Sequence, residues 1–156
     1  MKSLNLHLLK VLFIALLMSL PLSATELSKS SVEDLIEDLD KAASNQNIVF
    51  IAKHIHPNAT ITMNITINGK KQVMRASKKQ YIQLLTQGLQ SATDYEHEIS
   101  DLDITIKNNK AFASMQVEET IEMNGQSQTG KSQENLTIEL IRGELMITGI
   151  VAFTTL

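Results

Sequence analysis

Leu102-Asp103-Ile104-Thr105-Ile106-Lys107-Asn108-Asn109-Lys110-Ala111-Phe112-Ala113-Ser114-Met115-Gln116-Val117 sets alternating runs on either side of Asn108-Asn109. That is the pattern of a β-hairpin with a two-residue turn, because Asn tolerates the positive φ such turns need. Pairing outward matches Ile106 with Ala111, Ile104 with Ala113 and Leu102 with Met115. Arg142-Gly143 does the same further on, matching Leu140 with Leu145 and Ile138 with Ile147. Joining the hairpins across a loop at 124–129 predicts Ala113 opposite Leu140, Met115 opposite Ile138 and Val117 opposite Leu136. The next pair on that inward face is Glu119 opposite Glu134, two carboxylates at the rim of an apolar concave sheet. The four strands span roughly 95–106, 110–123, 131–141 and 144–154. Their other face, with Ser114, Gln116, Glu118 and Thr120 beside Gln133, Asn135, Thr137 and Glu139, is polar and suits water or a second copy.

Toward the N-terminus the period changes. Val32, Leu35, Ile36, Leu39, Ala42 and Ala43 recur at helical spacing, behind a capping box read as Ser30 with Glu33. A short second helix follows over Ile48 to Ile55. Ile61, Met63, Ile65 and Ile67 then alternate with polar residues up to Asn68-Gly69, and the return strand brings Met74 opposite Met63. Ser77 and Gln80 form another capping box, opening a helix with Tyr81, Leu84, Leu85 and Leu89 on one face. Three helical segments can cover one face of the sheet, which is an α+β arrangement.

Residues 1–24 stand apart. Lys2 and Lys10, the apolar stretch Val11 to Leu20, and Leu22-Ser23-Ala24 before Thr25 have the order of a bacterial export signal. The stretch is too short for a comfortable membrane span. The chain is expected to be exported, periplasmic or secreted, with no stable span once the signal is cleaved. A short tail, 25–30, and a single domain, 31–156, remain. The chain has no Cys, which excludes disulfides, thiol nucleophiles and thiolate metal sites. Removing the signal takes away two Lys and no acid, so 14 basic against 17 acidic residues becomes 12 against 17, a net charge of −5. With no basic stripe and no Trp, nucleic acid is not an expected partner.

This order of elements resembles the nuclear transport factor 2-like superfamily, the curved cone shared by ketosteroid isomerase, scytalone dehydratase and polyketide cyclases. The resemblance rests on helix 31–44, on Asn47-Ile48-Val49-Phe50-Ile51-Ala52 as the short second helix, on the 59–75 hairpin, on the helix capped at Ser77 and on the closing meander. It implies a cone-shaped antiparallel sheet, a hairpin plus a four-stranded meander, under three N-terminal helical segments. It also implies a pocket between sheet and helices. Ketosteroid isomerase takes a Tyr from the first helix and an Asp from the first hairpin. This chain has neither, since the hairpin positions are Ile61, Met63, Ile65 and Ile67. Scytalone dehydratase relies on inward histidines with tyrosine and aspartate partners, and His97 alone echoes that.

Three residues are candidates for acid/base chemistry. Glu119 and Glu134, close together in an apolar cavity, would share protons and raise one pKa. His97 joins them only if the strand bends. Leu102, Ile104 and Ile106 are out of phase with Tyr95 and Ile99, and a β-bulge near Ser100-Asp101 restores the phase and turns His97 inward beside Glu119. Met63, Met74, Tyr81, Met115, Val117, Met123 and Leu136 are the expected ligand-binding lining, the methionines offering an adaptable apolar wall. His54 and His56 lack a third ligand, so neither a metal nor any other cofactor is expected. The residues favour a non-catalytic cone domain binding a small apolar or amphipathic ligand or a protein partner in its cavity. The alternatives are a lyase, isomerase or cyclase using the rim carboxylates, and a structural homodimer with a filled core.

Overall fold

The structure is a computed structural model that describes residues 26–67 and 69–155. The export signal read at 1–24, and Asn68 of the expected Asn68-Gly69 turn, lie outside these residues. Helix α1 (Lys29–Ser44) and helix α2 (Ile48–His54) lead into strand β1 (Ile55–Ile67) and strand β2 (Lys70–Ala76). Helix α3 (Lys78–Gln90) precedes β3 (Asp94–Lys107), β4 (Lys110–Met123), β5 (Gln126–Ile141) and β6 (Glu144–Thr155). The six strands form one sheet in the order β2-β1-β6-β5-β4-β3. The α+β cone expected from the sequence is therefore present.

One feature of the sheet differs from expectation. It is mixed, not wholly antiparallel, because β1 pairs parallel to β6. That pairing sets Ile61 beside Ile150 and Met63 beside Ala152, so the inward rows of the hairpin and of the meander become continuous. The core lies between this concave face and the helices. Val32 and Ile36 of α1 pack with Ile55, Ile61, Met115, Ile138 and Ile147.

α1 starts two residues before the expected point. Ser28, not Ser30, is the N-cap: its hydroxyl accepts from the Ser31 amide at 3.1 Å, and the Ser31 hydroxyl accepts from the Ser28 amide at 3.0 Å. The shift lets Leu27, just before the cap, join the same core as Val32, as a hydrophobic staple does. At the other end the Gln46 amide bonds to Ala43 O and the Asn47 amide to Ala42 O, a Schellman motif with Gln46 at φ +54°. A left-handed backbone is costly for a residue with a Cβ. Gln46→Gly is expected to stabilise by about 0.5–1 kcal/mol after the entropy of the unfolded glycine is counted, read as a higher urea midpoint at unchanged slope.

The Ser77–Gln80 capping box forms as expected and starts α3. On that helix Ile82 packs on the core, while Leu84 faces solvent. Among the described residues no helix is long and apolar enough to cross a membrane.

The larger correction is the β4–β5 register. Ala113 lies opposite Leu136, Met115 opposite Glu134 and Val117 opposite Ser132, four residues from the expected alignment. Asn124-Gly125, with φ of +53° and +75°, makes a two-residue turn where a six-residue loop was expected, and β5 begins at Gln126. Four is an even number, so every side chain keeps its face. The inward row stays inward and only its partners change. On the convex face Gln116 bonds to Gln133, and Gln133 bonds to Ser114 at 2.8 Å. Phe112, Val151 and Phe153 stand exposed among them.

Candidate functional site

Helices and sheet enclose a cavity of about 100 Å³. Ile36, Leu39, Asp40 and Ala43 reach it from α1 at helical spacing, and Tyr81, Leu85 and Leu89 from α3. From the sheet come Tyr95, His97 and Ile99 on β3, Met115, Val117 and Glu119 on β4, and Glu134 and Leu136 on β5. Apolar groups dominate, and no Lys or Arg is among them.

The expected β-bulge delivers His97. Ser100 pairs with Gln116 and Asp103 with Ser114, so Asp101 and Leu102 together face one position of β4. Asp101 takes φ +52° there. Beyond the bulge the phase flips, and His97 comes opposite Glu119 on the inward face.

The partner of His97 is Asp40, which sequence reasoning missed. His97 Nδ1 lies 2.7 Å from Asp40 Oδ1, and the two side chains keep 11% and 33% of their surface exposed. An ionised carboxylate only accepts, so Nδ1 carries the proton and Nε2 is the ring's basic nitrogen. Ser44, one turn further along α1, also reaches the His97 carbonyl at 3.5 Å. The signal was present in the sequence. Asp40 interrupts the apolar stripe of its helix, four residues after Ile36 and three before Ala43.

Tyr95 is a second missed group. Its hydroxyl donates to Glu119 Oε1 at 2.7 Å, and its ring lies 6.2 Å from that of His97. Burial, then the nearby charge of Glu119, pushes the Tyr95 hydroxyl well above its usual range. Burial, then Glu134 and Glu119, does the same to Tyr81. Both remain phenols at any ordinary pH and can donate hydrogen bonds.

Glu119 and Glu134 share the cavity, but not as an opposed pair at its rim. The shifted register sets Glu119 opposite Gly130, and Glu134 between Met115 and Ala152, deeper in the sheet. Burial raises the Glu134 carboxyl to about 7, with the charge of Glu119 adding to it and His97 and Ser132 opposing. Glu134 keeps a little accessible surface, ringed by protein and open to the cavity. Among the described residues neither glutamate is in an ion pair.

Of the expected ligand-binding residues, Tyr81, Met115, Val117 and Leu136 line the cavity. Met63, Met74 and Met123 do not. Met63 packs against the core beside it, while Met74 on the edge strand β2 and Met123 at the β4–β5 turn are exposed. β1 and β3 are the strands most closely covered by α3 and α1, which leaves both of those ends bare. His54 Nδ1 lies 3.0 Å from Phe50 O, and His56 Nδ1 accepts from the Asn58 amide at 3.2 Å. Among the described residues no cluster of three His, Asp or Glu side chains could hold a metal ion.

The class this geometry defines is the nuclear transport factor 2-like fold, and solved structures agree. An NTF2-like protein of unknown function from Pseudomonas putida matches with a TM-score of 0.65 at 14% identity, over 80% of this chain and 84% of that one. One from Cytophaga hutchinsonii matches with a TM-score of 0.64 at 14% identity, over 82% and 98%. A scytalone dehydratase-like protein from Novosphingobium aromaticivorans matches with a TM-score of 0.64 at 12% identity, over 80% and 82%. No family model matches the sequence, and no curated protein does. At such identities the likeness is one of fold, and the site must be read from its own residues.

Proposed function

We propose that the cavity is a proton-transfer site for a small, largely apolar ligand, doing the chemistry of a cofactor-independent isomerase or lyase. The observation that supports this is the 2.7 Å contact of Asp40 with His97 at the cavity wall. Asp40 holds the tautomer and offsets the charge that forms when Nε2 takes a proton from a ligand carbon. Glu134, titrating near 7, can hold or release a proton at neutral pH. Tyr81 and Tyr95 can donate to an oxygen on which charge develops.

The balance thus moves from the non-catalytic reading toward the enzymatic one, with altered roles. Glu119 already accepts from Tyr95, so it positions that phenol, and His97 becomes the base. Of the grouping that scytalone dehydratase implied, inward histidines with tyrosine and aspartate partners, the cavity has one histidine, His97, with Asp40 and Tyr95 beside it. The proposal also takes the chain as exported, on the signal read at 1–24.

The test is deuterium incorporation at carbon in single-ring ketones and aminoketones in D₂O, followed by proton NMR. Wild type is expected to catalyse exchange. His97→Gln is expected to lose about 10²- to 10⁴-fold of the rate, and Asp40→Asn to fall in the same direction. Exchange that survives intact in His97→Gln would rule the base out.

A further inference from the structure

Charge inside the cavity says what kind of ligand it takes. Its wall contains three carboxyl groups, Asp40, Glu119 and Glu134, against one histidine and no lysine or arginine. Two are already engaged, Asp40 by His97 and Glu119 by the Tyr95 hydroxyl. Glu134 is different. It faces the cavity from the middle of the sheet, between Met115 and Ala152, with no ion-pair partner among the described residues. A buried carboxyl without a cation is costly to keep charged, and a protein with no use for it would carry an apolar residue in that row. An entering anion would meet three carboxyl groups, with His97 alone to offset them. A neutral ligand would leave Glu134 as it is. A cation would supply the missing partner.

We propose that the cavity selects a small primary amine, bound as its ammonium, with Glu134 as the counter-ion and the rings of Tyr81 and Tyr95 beside it. The aromatic faces add to the attraction, because a cation within reach of a ring face is favoured by its quadrupole. About 100 Å³ sets the size. By the volume a single water needs, that is room for roughly seven to ten water-sized groups, an amine carried on one ring or a short chain. The apolar remainder of the wall, from Ile36 and Leu39 to Leu136 and Ile147, takes the hydrocarbon part.

Binding is then linked to a proton. The free protein holds a proton on Glu134 below about pH 7, and an ammonium beside it drives that proton off. The titratable groups that face Glu134 are Glu119 on β4, Tyr95 and His97 on β3, Tyr81 on α3 and Asp40 on α1. α2 and β6 present only apolar side chains to the cavity, Ile51 from α2 and Ile147 and Ile150 from β6.

The inference rests on the cavity being the functional site, but not on catalysis, and calorimetry separates the two. Benzylamine, benzyl alcohol and benzoate share one size and differ in charge. At pH 8 benzylamine is expected to bind about 10- to 100-fold more tightly than the alcohol, and benzoate more weakly than either. Benzylamine affinity should rise with pH up to about 7 and then level off, with up to one proton released per amine bound below pH 7, while alcohol binding stays flat. Glu134→Gln should still bind the alcohol, which reports an intact cavity, and should lose both the amine preference and the pH dependence. Equal affinity for amine and alcohol, a preference for benzoate, no binding of any probe, or an amine preference that survives in Glu134→Gln would each overturn the proposal. Amine binding without deuterium exchange would leave it standing and remove the proton-transfer reading. Exchange on neutral ketones without amine preference would do the reverse.

Discussion

Glu134→Gln is expected to stabilise the protein at pH 8 by roughly 2–3 kcal/mol and to change its stability little at pH 4. The effect comes from where the carboxyl sits. In the unfolded chain it titrates at its ordinary value of 4.5, and in the folded protein burial, with Glu119 adding to it, raises that to about 7. Below 4.5 the side chain is neutral in both states and its burial carries no charge penalty. Between 4.5 and 7 the unfolded chain gives up the proton while the native state keeps it. The native state then binds more protons, so stability falls as pH rises. Above 7 both states are ionised and the whole penalty is present.

Gln has nearly the same shape and no charge, so the variant escapes that loss while sharing with wild type the titration of every group outside the cavity. Urea unfolding of both proteins at pH 4 and pH 8 isolates the difference. An equal difference at the two pH values would mean that Glu134 is not held in a desolvated wall. The sign also says something about function. A side chain that weakens the fold at neutral pH is out of place in a filled core, and belongs in a site that uses it.

The sequence was readable where local chemistry decides. Asn108-Asn109 and Arg142-Gly143 both take positive φ at their two turn residues, and the pairs counted outward from them are the pairs observed as far as the bulge, where Leu102 shares the place opposite Met115 with Asp101. It misled where a turn was judged by loop length alone. Asn124-Gly125 is the same turn-favouring dipeptide as Asn68-Gly69, yet the polar residues after it looked like loop, and the β4–β5 register slipped by four. That slip had one functional consequence, since it placed Glu134 at the rim when it lies deeper. The parallel β1–β6 pairing was not legible because nothing local encodes which strand a meander's last member will meet. The site followed the same division. His97 could be found because a bulge leaves a phase shift in its strand. Asp40 and Tyr95 were harder to assign because their roles come from neighbours more than twenty residues away: the helix stripe marks Asp40 and the strand phase marks Tyr95 as inward, but neither names the partner.

Deleting Asp101 is expected to leave the protein folded, with its stability changed by less than about 2 kcal/mol and His97 still in the cavity. Asp101 and Leu102 face one position of β4, so removing one residue makes the pairing continuous. Every remaining residue of β3 can keep its partner: His97 opposite Glu119, Ile99 opposite Val117 and Ile104 opposite Ala113. A strand has a side-chain period of two, and the bulge reconciles Tyr95, His97 and Ile99 at odd positions with Ile104 at an even one. With one residue fewer the two halves alternate in phase, and Leu102 takes the inward place opposite Met115. No side chain has to change face. What the deletion removes is the local bend that the bulge gives the strand. Asp101→Gly keeps the residue count and relieves a left-handed backbone, so it should be neutral or mildly stabilising. Circular dichroism and urea unfolding of the two variants side by side separate the count from the residue. A deletion that leaves the protein unfolded at 25 °C would mean that the bend itself, and not only the phase it restores, holds β3 against α1.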